Sequence, residues 1–89
     1  MMAVTFPNVS RSYDSSGNRV RFWGYDSAME ITFYVEEAAL FRLSPKTSRV
    51  EAGILAAFDA ARDRIMEVAA KTYSFEKRGF YILVASDFR

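Results

Sequence analysis

The sequence predicts an α+β domain: an antiparallel three-stranded β-meander, a short helix, one long amphipathic helix on one face of the sheet, and a C-terminal strand. Three observations carry that reading. Residues 48–73 place apolar side chains at intervals of three and four, which is one face of an α-helix. Residues 19–25 and 28–35 alternate apolar and polar side chains, the period of strands covered on one side. Short turns separate the strands, which makes them neighbours in one sheet. At 89 residues the chain reads as a single domain, residues 1–89.

In chain order, residues 4–6 read as a short strand-like piece that Pro7-Asn8 stops. Residues 11–14 open the meander, and Asp14-Ser15-Ser16-Gly17-Asn18 is a turn in which Gly17 or Asn18 takes the positive φ. In the next strand Val20 and Phe22 point one way, and Arg19, Arg21, Trp23 and Tyr25 the other. Gly24 marks a bulge or a close approach of another backbone. After a tight turn at Asp26-Ser27, Met29, Ile31, Phe33 and Val35 oppose Glu30, Thr32 and Tyr34. Residues 36–43 read as a short helix, with Glu36 and Glu37 at its positive end, Arg42 at its negative end, and Ser44-Pro45 closing it.

The long helix carries Ile54, Leu55, Phe58, Ala61, Ile65, Val68, Ala69 and Tyr73 in one sector centred near Phe58, with Asp63, Arg64, Glu67 and Lys71 opposite. Ser48 and Glu51 fit a capping box at its start. About 25 residues at about 1.5 Å rise give roughly 37 Å, longer than a strand, so one end overhangs the sheet or bends. Arg62 interrupts the apolar sector, about 40° from Phe58. It reads as an arginine with its stem packed and its head in water, or as one kept for a carboxylate on a strand or a partner; Asp59 is its nearest local acid. Residues 74–79 form a polar turn. Residues 80–85 (FYILVA) show no alternation, which reads as a strand covered on both faces. That strand fits beside the third strand or beside the first.

Composition removes several function classes. With no histidine and no cysteine, no disulfide, zinc-thiolate site, thiol nucleophile or Ser-His triad is possible. The acids Asp14, Asp26, Glu30, Glu36 and Glu37 lack the order of a calcium loop and read as solvated turn acids and a helix-dipole pair. Lys77-Arg78-Gly79 lies outside any phosphate-loop string. The reading is therefore of no enzyme, with no catalytic, metal-binding or cofactor-binding residues and no cofactor. A net charge of +1 argues against a strongly electrostatic nucleic-acid or membrane binder. The start of the chain lacks the pattern of a signal peptide, and no apolar run reaches membrane-spanning length, so the expected location is cytoplasmic.

The string Arg19-Val-Arg-Phe-Trp-Gly-Tyr-Asp26, followed by Met29-Glu-Ile and Phe33-Tyr-Val-Glu-Glu-Ala-Ala-Leu40, carries a resemblance, with Ser10-Arg-Ser-Tyr-Asp14 before it and Asp87-Phe88 at the end. Over nearly its whole length the chain resembles a small bacterial family, mostly proteobacterial, known as domain of unknown function 1488. The resemblance implies a compact α+β domain of about this length. It brings no catalytic or binding residue with it.

The meander's covered face is then Val20, Phe22, Met29, Ile31 and Phe33, lying under Ile54, Phe58, Ala61 and Ile65. The other face holds Arg19, Arg21, Trp23, Tyr25, Glu30, Thr32 and Tyr34, and no second long helix exists to cover it. Tyr, Trp and Arg are the residues enriched at protein interfaces. The expectation is a protein-interaction or self-associating module whose partner is a second copy (a homodimer) or another protein. The alternative is a weak single-stranded nucleic-acid platform, in which bases stack on the rings and arginines hold the backbone.

Overall fold

The computed structural model describes residues 4–75 and 78–88. β1 (Arg11–Asp14), β2 (Arg19–Asp26) and β3 (Met29–Glu36) form the antiparallel meander, each bound falling within one residue of the expected one. Asn18 takes the left-handed position of the first turn at φ 49°, and Ser27 that of the second at φ 55°. α1 (Glu37–Leu43) starts one residue later than expected, because Glu36 is still extended as the last residue of β3.

β4 (Phe80–Leu83) lies beside β3 and parallel to it, with Thr32 opposite Phe80 and Val35 opposite Leu83, so the sheet order is β1-β2-β3-β4. Of the two positions that crossover handedness allowed, beside the third strand or the first, the strand takes the former. A parallel neighbour needs a long crossover, and the helical residues between β3 and β4 supply it. The strand ends earlier than its apolar run. Val84 leaves the sheet and donates its N–H to the Asp87 carboxylate at 2.8 Å, closing a 3₁₀ turn over Ala85–Asp87. The expectation that both faces of this strand are covered is overturned. Tyr81 and Leu83 are buried, but Phe80 is 52 % exposed, because among the described residues no layer lies on the side away from the helices.

The long helix is two helices. α2 (Glu51–Ala60) and α3 (Arg62–Phe75) meet at Ala61, whose N–H is shared between the carbonyls of Ala57 (3.1 Å) and Phe58 (3.2 Å). A bond to the residue three back tightens the turn, and Ala61, at φ -105° and ψ 14°, interrupts the helix there without proline or glycine. The expected turn over residues 74–79 is shortened by α3, and residues 76–77 lie outside the described residues.

The capping box at Ser48 does not form. The N-cap is Val50, and no side chain caps the helix. Ser48 instead lies against the first turn: a Cβ on Gly53 would stand 2.6 Å from the Ser48 Cβ and 2.7 Å from its carbonyl oxygen. The chain before the helix therefore passes close over its first turn at Gly53.

Among the strand residues the core is the predicted one with one exception, and of the four helix residues expected over them Ala61 is only partly buried. Val20, Phe22, Ile31 and Phe33 are buried beneath Ile54, Phe58 and Ile65, and Leu40, Tyr73, Tyr81 and Leu83 extend it. Phe22 stacks on Phe33 at 5.3 Å, Phe58 tilts onto Phe22 at 5.3 Å, and Phe33 stacks on Tyr81 at 5.2 Å. Met29 is the exception. It is 56 % exposed, because it pairs with Asp26 at the hairpin tip and is excluded from the buried cluster.

The N-terminal segment is seated by two devices. Thr5 and Tyr25 exchange both backbone hydrogen bonds, at 2.9 and 2.8 Å, and this packs Phe6 against Phe22 and Phe33. Gly24 permits it: a Cβ there would meet the Thr5 carbonyl oxygen at 2.5 Å and the Phe6 ring at 2.8 Å. Gly24→Ala is expected to cost about 1–3 kcal/mol through overpacking. An unchanged denaturation midpoint would show that residues 4–6 are not held there. The second device is Arg62, which lies 3.9 Å from Asp59, its nearest local acid, and reaches beyond it. Its guanidinium stands over the Phe58 ring at 5.0 Å and donates to the Val9 carbonyl at 2.7 Å, while Asp59 forms a two-point pair with Arg11 of β1 at 2.9 and 2.8 Å.

Tyr73 ties α3 to the meander by donating to the Asp26 carboxylate at 2.5 Å. That bond, with burial adding to it, pushes the Tyr73 hydroxyl from its ordinary 10.0 up to about 12. A raised pKa means the folded protein favours the neutral phenol. The stabilisation is therefore complete below pH 10 and is lost as pH rises from 10 towards 12. Denaturant midpoints followed across that range should fall for the natural chain and fall less for Tyr73→Phe. An equal alkaline loss in both would place the effect on other groups.

Candidate interaction face

Register determines which side chains share the open side of the sheet. Arg19, Arg21, Trp23 and Tyr25 stand along β2, opposite Glu36, Tyr34, Thr32 and Glu30 of β3. The structure thus brings all seven expected residues onto one face. Trp23, Tyr25 and Tyr34 are half-buried and Glu30 is exposed. Val20, Phe22, Ile31 and Phe33, which alternate with them, are buried on the other side.

The arginines stand over the rings. The Arg19 guanidinium stands 3.8 Å above the centre of Tyr34, and that of Arg21 stands 4.8 Å above Trp23. Stacking of this kind shields ring and stem together and leaves the planar fork free to pair at its edge. Both forks use that edge: Arg19 donates to Asp14 at 2.8 Å, and Arg21 lies 3.6 Å from Glu30. Hydrogen bonds from Ser16 and then from Arg19 hold the Asp14 carboxyl below its usual range.

Two acids beside Arg19, Asp14 and Glu36, and two apolar residues of this face were missed from sequence. Phe80 and Ile82 of β4 stand beside Thr32 and Tyr34, and the Phe80 ring meets Tyr34 edge-on at 6.0 Å. Their strand lacked alternation, so nothing in it separated an open side from a covered one. With Arg19, Thr32, Tyr34 and Gly79, Phe80 borders a shallow hollow of about 310 Å³. A larger groove of about 510 Å³ lies elsewhere, between α3 and the 3₁₀ turn, where Arg64 and Glu67 pair at 2.7 Å.

Among the described residues, the acids do not gather into a group that could hold a metal ion. Asp26 accepts from Tyr73, Tyr13 donates to Glu37, and Asp14 and Glu30 face the arginines. Among the same residues no helix is long and apolar enough to cross a membrane.

Fold and face together define a class: a small α+β domain with a four-stranded mixed sheet, helices on one side and an aromatic-arginine face on the other. The chain belongs to the DUF1488 family, proteins of unknown function, whose family model matches residues 4–83. It is similar in fold to the crystal structure of a protein of unknown function from that family, from Shewanella loihica PV-4, with a TM-score of 0.75. The two share 20 % identity over 92 % of this chain and 90 % of the other. No curated protein matches the chain.

Proposed function

We propose that this chain is a small non-catalytic interaction module that self-associates through its open sheet face, a second copy covering the Trp23, Tyr25 and Tyr34 surface. The observation that carries the reading is the face's charge balance. Two arginines, Arg19 and Arg21, stand among three acids, Asp14, Glu30 and Glu36, with aromatic rings between them. Such a face complements another of its own kind, arginine meeting acid and ring meeting ring, and offers no positive surplus to a polyanion.

The stacked arginines favour one other reading, a single-stranded nucleic-acid platform, since rings flanked by guanidiniums are what bases stack on. Both guanidiniums already face carboxylates, which lowers what they offer a phosphate. Light scattering with and without added RNA separates the two. A mass above 10.2 kDa without RNA supports self-association. A monomer that gains mass only with RNA supports the platform, and a monomer under both conditions rejects both.

A further inference from the structure

We propose that the outer edge of β4 pairs with β4 of a second copy, the two strands running antiparallel about a two-fold axis at Tyr81 and joining two sheets into one of eight strands. This goes beyond the open-face reading, because it concerns the backbone edge of the sheet, although Phe80 and Ile82 border both surfaces.

The observation is a mismatch between composition and place. Among the described residues β4 has a neighbouring strand on one side only. Edge strands are ordinarily guarded by charge, proline, a bulge or a covering segment, since their free amides and carbonyls recruit other strands. The opposite edge is guarded in this way: β1 carries Arg11, tied to Asp59 of α2, and Asp14, tied to Arg19. β4 reads Phe-Tyr-Ile-Leu, with no charge and no proline, in unbroken register with β3 over its four residues. It has the composition of an interior strand at an edge, and a second strand on its outer side would make it one.

A second copy of β4 is the occupant that fits. An axis through Tyr81 and perpendicular to the sheet keeps both sets of helices on the same side. It sets Phe80 against Ile82 of the second copy, and Ile82 against its Phe80. These are the two β4 side chains on the open face, one 52 % exposed and the other half-buried. Aromatic and β-branched residues opposite each other are a favourable cross-strand pair. Pairing β4 with β1 of another copy would instead set charged residues against apolar ones, and a head-to-tail contact of that kind does not close on itself.

The test uses Trp23→Ala, which weakens the open-face contact and leaves the edge untouched. Sedimentation of that variant should still show a dimer. Adding Phe80→Lys at this exposed position should raise the dissociation constant by about tenfold or more. Adding Ile82→Glu as well should restore the dimer, because the antiparallel register then sets each Lys against a Glu. In the natural chain, amides of residues 80–83 should exchange more slowly as concentration rises. A Trp23→Ala protein that is monomeric while the natural chain assembles overturns the edge pairing and leaves the face reading standing. Assembly unmoved by Trp23→Ala, broken by Phe80→Lys and restored by adding Ile82→Glu does the reverse, the rescue being specific to the edge register because Phe80 also borders the open face. A dimer indifferent to Phe80→Lys, or amide exchange independent of concentration, also overturns the proposal.

Discussion

Phe58→Ala is expected to destabilise the domain by about 3–5 kcal/mol, the range for a fully buried phenylalanine. The ring is 0 % exposed, tilts onto Phe22 at 5.3 Å, and has the Arg62 guanidinium over it at 5.0 Å. Truncation would leave a cavity that neighbouring elements cannot easily close. α2 is held to β1 by Asp59 and Arg11, and the start of α3 is held to the N-terminal segment by Arg62 and Val9. With total stability of a domain near 5–15 kcal/mol, the loss is a large part of the whole. It should appear as a lower denaturant midpoint with an unchanged slope. A loss below about 1 kcal/mol would mean that Phe58 is not the centre of the helix–sheet contact.

The strands were legible because they alternate. Period-two patterning over β2 and β3 reports a sheet with one covered face, and it located both turns to within a residue. The break between α2 and α3 was not legible in place, although the length of the apolar pattern required a bend or an overhang. Residues 59–62 (Asp-Ala-Ala-Arg) hold two of the best helix formers and no breaker. The break falls where Asp59 binds Arg11 of β1 and Arg62 binds the Val9 carbonyl, and such tertiary contacts leave no periodic trace. The capping box failed for a related reason. Ser48 and Glu51 have the right types and spacing, but Gly53 lets the preceding chain lie directly on the helix, and Val50 becomes the cap.

The open face was legible on β2 and β3 and illegible on β4. A run of apolar residues gives no phase, so Phe80 and Ile82 could be placed only once pairing with Thr32 and Tyr34 was known. Met29 failed in the opposite sense. Its phase put it on the covered side, but phase carries no information about where along a strand the helices stop. Arginine stacking was likewise invisible, since cross-strand neighbours such as Arg19 and Tyr34 depend on register.

Trp23→Ala is expected to weaken self-association by about 2 kcal/mol or more, roughly thirtyfold in dissociation constant, while leaving the fold intact. Trp23 stands mid-row on the open face, opposite Thr32 and beneath the Arg21 guanidinium, and it is only half-buried, so its loss opens no core cavity. In a face-to-face assembly its remaining ring surface would be removed from water, and a tryptophan desolvated at the centre of an interface carries a large share of the binding energy. It is the chain's one tryptophan, so the emission of the natural protein reports its surroundings directly and should shift to shorter wavelength as the protein is concentrated. Arg21→Glu supplies the second comparison. It sets a carboxylate beside Glu30, 3.6 Å from where the guanidinium lay, and so inverts the local charge. At a protein face the effect should be moderate and weakly dependent on salt. On a nucleic-acid platform, binding by the natural chain should already fall steeply with salt, and Arg21→Glu should reduce that slope by about one phosphate contact. A natural chain whose Trp23 emission is independent of concentration, whose mass is that of a monomer, and which binds no oligonucleotide would sink both readings of the face.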